Sequence, residues 1–366
     1  MENYYIMWLN DLSGLTIKRK IELLKVFGSG EGVWNATSKD IKSMTNMHED
    51  DIYKFIKTRN IDKVYEYIEK AYKLGAKYIT YKSSKYPELL KKIDLPPIGF
   101  YVLGELPEDN LPKVAFVGSR RCTEYGSSCC YNISKELAGK NIVIVSGMAT
   151  GIDSMAHKGA IDAGGKTIAV VGTGIDVCYP SNNRGLMENI IKNGCVISEF
   201  PLGTKPNSYN FPQRNRIISG LSQAVAVIEA ASRSGTLITA NFALDYGRDV
   251  FALPGNITSK FSKGTNNLIK EGAFPLTSGK DILEVLNIDD KTVENKDLEK
   301  NSKKNIFSLA SDEKLVYDCI DLNFVNIEEI ITKTGLDIKT TQYILTMLEL
   351  KGLIRKISGE RYTKSV

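Results

Sequence analysis

The chain has 366 residues, 42% of them hydrophobic and 25% charged, a composition that holds two or three domains with buried cores and excludes intrinsic disorder and fibrous repeats. Its 48 Lys and Arg against 43 Asp and Glu give a formal charge of +5, which permits a nucleic-acid partner without requiring one; the excess is spread along the chain and no segment is a basic tail.

The start, MENYYIMWLND, carries Glu2 and Asp11 with no basic leader, so it does not read as a signal peptide, and no later run approaches the ~18 apolar residues that span a bilayer. Apolar residues at helical spacing in Lys20–Phe27, Ile52–Ile61 and Val64–Leu74 predict a small helical domain over 1–78. Its LSGLTIKRK segment (Leu12–Lys20) suits a sterile-alpha-like or a helix-hairpin-helix module equally. Residues 79–112 hold five of the 11 prolines, which predicts an extended connector, too proline-rich for a helix. From Lys113 the texture changes to apolar run, glycine turn, helix: the runs begin at Val114, Ile142, Thr167, Val196, Ala224 and Val250, and 20 of the 30 glycines lie between Gly118 and Gly279. Continuous apolar strands separated by helix-like stretches predict an α/β, Rossmann-like, doubly wound and mostly parallel sheet over 79–287. Residues 288–305 carry ten charges in 18 positions and read as a solvated linker. In 306–366, helices Glu313–Ile320, Asn326–Lys333 and Lys339–Leu350 precede a strand pair in Ile354–Tyr362 turned at Ser358-Gly359, which predicts a C-terminal winged helix.

A doubly wound sheet binds ligands beyond the carboxyl ends of its strands, where glycine turns and helix N-termini present N–H groups to anions. Three turns qualify. Gly118-Ser119-Arg120-Arg121 adds a hydroxyl and a guanidinium; Ser146-Gly147-Met148-Ala149-Thr150-Gly151-Ile152-Asp153 and Gly172-Thr173-Gly174 follow the next two strands. For the last, relief of backbone strain explains the glycines as well as phosphate binding does. A second constellation is Lys205, Asn210 and Gln213-Arg214-Asn215-Arg216, whose arginines sit at an expected helix start where an anion would relieve their conflict with the dipole; the alternative is an ion pair with an acid such as Glu199 or Glu229. A third is Ser232-Arg233-Ser234-Gly235-Thr236 after the fifth strand. The dinucleotide fingerprint GxGxxG is absent after the first strand and the phosphate loop GxxxxGK[ST] is absent throughout, so no cofactor is expected. The six cysteines include no CxxC, and only His48 and His157 could supply imidazoles, so no metal site is expected and the thiols read as those of a cytoplasmic protein. His157 and Asp153 read as structural, the carboxylate orienting the N–H groups of its loop.

Taken together, VGSRRCTEYG (Val117–Gly126), SGMATGID..AH (Ser146–His157), GTGIDVCYP..N (Gly172–Asn183), FPQRNRIISGLS (Phe211–Ser222), the segment from Glu229 to Gly255 and GTNNLIKEGA (Gly264–Ala273) closely resemble the DprA (Smf) family of bacterial DNA-processing proteins. The resemblance covers about 190 residues, counted across those motifs. It implies a non-catalytic, cytoplasmic protein of natural transformation that binds and protects single-stranded DNA and helps load the RecA recombinase. Partners implied are single-stranded DNA, RecA, a single-strand-binding protein and a second copy of the chain, joined through the core near Leu268-Ile269. Carried over by motif, the DNA contacts are Gly118, Ser119, Arg120, Ser146, Gly147, Met148, Ala149, Thr150, Gly151, Lys205, Arg214, Asn215 and Arg216, joined by Ser234, Gly235 and Thr236 from the third constellation. Several relatives have lysine directly after the Tyr-Pro pair; here Ser181 stands there, which moves that contact to Arg184. Tyr125, Tyr179, Tyr209 and Phe211 are the aromatic rings beside these sites.

Two other functions compete. The lysine-decarboxylase-like family, which cleaves the base from nucleoside monophosphates, carries a glutamate shortly after a Gly-Thr pair; here Gly235-Thr236 is present and Thr239 stands in the glutamate's place, and a hydroxyl cannot stabilise an oxocarbenium-like centre as a carboxylate does. A sequence-specific regulator would read DNA through the expected recognition helix, whose Asp337, Lys339, Thr340, Thr341 and Gln342 offer weak charge contrast.

Overall fold

The computed structural model describes residues 2–12, 14–288, 311–320, 325–351, 353–357 and 361–364. They fall into two compact units, one within 1–292 and one within 293–366.

The first unit opens with α1 (Glu2–Asp11), α2 (Ile17–Phe27), α3 (Gly30–Asn35), α4 (Ser38–Met44), α5 (Glu49–Lys57) and α6 (Ile61–Lys73). The side chains of Thr16, Ser29, Thr37 and Asn60 each accept a first-turn N–H and so set helix starts. The apolar faces meet around Ile6, Leu9, Leu23, Val33, Ile41 and Phe55. Periodicity identifies α2, α5 and α6 but not α1, α3 or α4. Ile6 to Asn10 of α1 are all buried, which erases its polar face, and α3 and α4 have only 6 and 7 residues, too few to show a period.

The sheet contains β1 (Lys77–Thr80), β2 (Gly99–Gly104), β3 (Lys113–Val117), β4 (Val143–Ser146), β5 (Thr167–Val170), β6 (Gly194–Ser198), β7 (Ala224–Val227), β8 (Asp249–Ala252) and β9 (Phe274–Pro275), in the order β1-β2-β6-β5-β4-β3-β7-β8-β9. From β6 to β9 every pairing is parallel. β1 and β2 extend the β6 edge antiparallel. The connector therefore joins the sheet rather than running past it, and it does contain one helical turn, α7 (Glu88–Lys91). Pro87 immediately precedes that turn, where a missing N–H costs no helical hydrogen bond.

Seven further helices follow: α8 (Glu124–Gly139), α9 (Ile152–Asp162), α10 (Arg184–Asn193), α11 (Asn210–Leu221), α12 (Gly235–Asp245), α13 (Lys263–Lys270) and α14 (Gly279–Val285). Successive residues of β3 face opposite sides of the sheet. Val114 and Phe116 pack with Ile133 and Leu137 of α8, Ala156 of α9 and Leu283 of α14, whereas Ala115 and Val117 pack with Ile217 and Ile218 of α11 and Ala240 of α12. Helices on both faces explain why the central strands read as unbroken apolar runs.

The second unit holds α15 (Ser311–Asp318), β10 (Val325–Asn326), α16 (Ile327–Thr334), α17 (Ile338–Leu350), β11 (Ile354–Ile357) and β12 (Arg361–Lys364), with strand order β10-β12-β11. Ile330, Ile344, Leu345, Leu348, Ile354 and Tyr362 form its core. This is the expected winged helix, with β10 as an added two-residue strand. The charged linker from residue 289 onward and the Ser358-Gly359 turn lie outside the described residues. Among the described residues no helix is long and apolar enough to cross a membrane.

Candidate functional site

β3 occupies the middle of the sheet, with β4, β5 and β6 laid out on one side and β7 and β8 on the other. At that reversal the loops after β3 and β7 diverge and leave a crevice at the strands' carboxyl ends. A recess of about 370 Å3 opens there, bounded by Gly118–Arg120 after β3, Ala149 and Asp153 after β4, Arg214 and Asn215 of α11 and Ser234–Thr236 at the start of α12. A smaller recess of about 50 Å3 adjoins it, lined by Gly147, Thr150, Gly172 and Tyr179, and the two share Arg120, Phe211 and Arg214 as walls.

The two arginines of the crevice differ in kind. Arg120 is exposed, with Cζ 5.0 Å from the centroid of the Phe211 ring, against which Tyr179 packs at 5.7 Å and 33°. Arg214 is only 5% exposed. Its Nη1 donates to the carbonyls of Gly147, at 2.7 Å, and Val170, and its Nε donates to Asn215 Oδ1 at 3.1 Å. Burial pushes its guanidinium down to about 10, against the pull of Asp153. A side chain at position 147 would collide with that guanidinium, so Arg214 keeps this place only while residue 147 is glycine.

Gly151, at φ 78°, brings the loop against the carbonyl of Ser119, and α9 begins at the next residue. Burial raises the Asp153 carboxyl, opposed by Arg214, by the N–H of Ala149 that donates to it at 3.3 Å, by Ser146 and by Arg120. Asn183 Nδ2 donates to Met148 O at 2.9 Å and ties the loop to the segment after Tyr179-Pro180. His157 is fully buried, and burial pushes it down to about 3. The Thr167 hydroxyl donates to Ile144 O, so the 2.7 Å contact between His157 Nδ1 and Thr167 Oγ1 makes Nδ1 the protonated nitrogen. It is a packing residue.

The crevice thus gathers Gly118, Ser119, Arg120, Gly147, Ala149, Thr150, Arg214, Asn215, Ser234, Gly235 and Thr236. Six expected contacts line neither recess: Gly151, Arg184, Lys205 and three that are buried, Arg216, Ser146 and Met148. Arg216 is 5% exposed, and its Nη2 donates to both Glu199 oxygens at 2.5 Å, so the ion-pair alternative holds for it. Glu229 instead accepts Thr123 N at 2.9 Å and Thr123 Oγ1 at 2.5 Å at the start of α8. Ser146 is buried and donates to Phe116 O at 2.7 Å. Met148 is buried in an apolar cluster with Val171 and Met187.

The arginines also stand inside α11 rather than at its start, because the helix begins at Asn210 and holds Pro212 in its first turn. Arg184 and Lys205 are exposed and line neither recess. Among the aromatics, Tyr209 is 78% exposed, and Tyr125 is tied to Pro254 O at 2.9 Å, away from the crevice lining. The Gly172 turn is largely satisfied within the protein: Asn210 Nδ2 donates to Gly172 O at 3.0 Å and Gly174 N to Thr204 O at 2.9 Å. Thr239 lies in the crevice wall where the hydrolase reading needs a glutamate.

Residues 77–287 match the family described as DNA recombination-mediator protein A, and residues 300–360 match the DprA winged helix domain. The chain belongs to the DNA recombination-mediator protein A family. Protein Smf of Synechocystis sp. is 38% identical over 286 residues, covering 76% of this chain and 71% of that protein. DNA processing protein DprA of Streptococcus pneumoniae is 47% identical over 198 residues, covering 54% and 70%. The X-ray structure of the Streptococcus pneumoniae DprA superposes with a TM-score of 0.70 at 37% identity, covering 78% of this chain and 98% of that one. A structure of DNA processing protein A from Helicobacter pylori, described for its unique single-stranded DNA binding mode, gives 0.52 at 31% identity, covering 58% and 96%.

The sequence motifs include Asn183 and Ile218 but assign neither a role. One braces a loop and the other is an apolar floor residue of the larger recess. Neither residue type signals such a role outside its three-dimensional setting.

Proposed function

We propose that the protein is a non-catalytic single-stranded-DNA-binding protein of natural transformation, acting in the cytoplasm as a homodimer, that shields incoming strands and helps load RecA onto them. The observation that carries this reading is the pairing of exposed Arg120 with Arg214, a buried guanidinium bonded to carbonyls, in one crevice with glycine loops and the start of α12. Such a wall suits a row of phosphates, and the rings of Phe211 and Tyr179 beside it suit bases. The binding mode described for the Helicobacter pylori relative supports the same ligand.

In this reading the strand contacts Gly118, Ser119, Arg120, Gly147, Ala149, Thr150, Gly151, Arg214, Asn215, Ser234, Gly235 and Thr236, and exposed Arg184 and Lys205 extend its path; residues 79–287 are the binding core. For the dimer, Leu268 is 6% exposed and packs within its own chain, so the face that remains is the groove beside Ile269 and Ile257, the latter 83% exposed.

Titration with labelled single-stranded and duplex oligonucleotides tests the central claim. Arg120→Glu abolishes single-strand binding in a folded protein; preference for duplex, or native affinity and salt dependence in this variant, would sink the reading. Co-precipitation with purified RecA tests the partner, with a null result in the presence of single-stranded DNA counting against it.

A further inference from the structure

Arg214 and Arg216 lie two residues apart on α11, about 200° around the helix, and they serve opposite sides of it. Arg214 enters the crevice. Arg216 reaches Glu199, one residue beyond β6, and the backbone carbonyl of Glu199 accepts a 2.8 Å hydrogen bond from Asn10 Nδ2 of α1. Asn10 is 3% exposed, and its own carbonyl accepts from the buried Lys20 Nζ of α2. A continuous buried chain of polar contacts therefore runs from the N-terminal helices to the helix that carries the proposed phosphate-binding arginine.

Two features make this chain responsive to position. A guanidinium and a carboxylate are best matched as a two-nitrogen fork, yet Arg216 offers Nη2 to both Glu199 oxygens, and its buried Nη1 has no partner among the described residues. The pair is held where its surroundings put it, not at its own optimum. In addition, α11 has no side-chain cap among the described residues and no acid in its first turn, so what holds it in place is a set of tethers to other elements: Asn210 to Gly172 O at its start, and Arg214 to Gly147 O and Arg216 to Glu199 further along. An open recess of about 850 Å3 borders Asn10, Lys20, Glu199 and Arg216 and leaves room for Glu199 to shift when Asn10 is lost.

We propose that Asn10, Glu199 and Arg216 are positioning residues through which the N-terminal helices hold Arg214 and Asn215 in register with the strand's phosphates. This rests on the single-strand-binding reading above.

The test is a double-mutant cycle in the full chain, with binding of a single-stranded oligothymidylate measured by fluorescence anisotropy and the competent fraction fixed by stoichiometric titration. Asn10→Ala weakens binding about three- to tenfold at unchanged stoichiometry, the range of one buried hydrogen bond. Adding Arg214→Lys to it costs less than the two single losses multiplied, whereas adding Arg184→Ala multiplies fully. Glu199→Gln, a near-isosteric change, repeats the pattern if Asn10→Ala does not fold. Native affinity in the folded variant, or full multiplication with Arg214→Lys, overturns the proposal. Arg120→Ala run alongside separates the two levels: if it also binds as native, the crevice reading itself has failed and the positioning claim falls with it.

Discussion

The arginines of this site differ in exposure and in partner: Arg120 is exposed, whereas Arg214 and Arg216 are both 5% exposed, one bonded to carbonyls and the other to a carboxylate. Arg120 is exposed against Phe211, so its loss leaves the packing undisturbed and, on the proposed strand-binding reading, removes a phosphate contact. Arg120→Ala accordingly keeps its melting temperature while the slope of log affinity against log salt becomes shallower by about one. Arg216→Ala does the reverse: it strands the Glu199 carboxylate, 9% exposed, without its partner, and costs roughly 3–5 kcal/mol in denaturant unfolding.

Asp153 adds a pH dependence of known sign. Its carboxyl is already raised by burial, held back in part by Arg214 and Arg120. A bound phosphate offsets those two cations and raises it further, so the complex takes up protons and affinity rises as pH falls through the carboxyl's pKa in the complex. Asp153→Asn flattens that profile, and isothermal titration at several pH values reads both the slope and the proton uptake.

Among elements, α12 carries the most direct consequence of capping. Ser234 Oγ accepts Thr236 N at 3.2 Å and fixes the first turn of a helix whose start faces the crevice. Ser234→Ala therefore costs about 1 kcal/mol in unfolding experiments and weakens strand binding together with it; Ser234→Asn, which retains a cap, restores the stability. α11 offers the contrast. Lacking a side-chain cap, it is placed by contacts on two faces, and this is why a helix that looks continuous with the Arg-Asn-Arg motif begins four residues before Arg214.

For the molecule as a whole, net charge is a poor guide to ligand. The +5 of the chain has less bearing on a polyanion than the local arrangement of Arg120 and Arg214 in one crevice, because exposed charges beyond about 10 Å are screened at ordinary salt. The residues that line the proposed strand-binding crevice all belong to the 1–292 unit, which has its own cores. A chain ending at Ile288 should thus bind a single-stranded oligonucleotide with the affinity of the full chain; a loss on removing the winged helix, seen by anisotropy, would place part of the site there.

Residues next to one another in sequence carried much of this. The strands from Val114 to Leu253 were legible because a strand buried on both faces must be apolar throughout, and the glycine turns were legible because a strand feeding a helix near an anion needs backbone freedom. The winged helix showed in its helical periods. β1, β2, β9 and β10 stayed hidden: β1 straddles the expected boundary between helical domain and connector, prolines flank β2, and β9 and β10 have two residues each, too few to carry a pattern.

The fates of Arg214 and Arg216 depended on the fold. Both belong to one motif and share one chemistry, and sequence alone left an anion or an acid such as Glu199 open for each. A helix turns about 100° per residue, so two positions apart means opposite faces: one meets the carbonyls of Gly147 and Val170, the other the carboxylate at the end of β6. Which partner lies on which face is set by strand order, and strand order is a property of the tertiary structure.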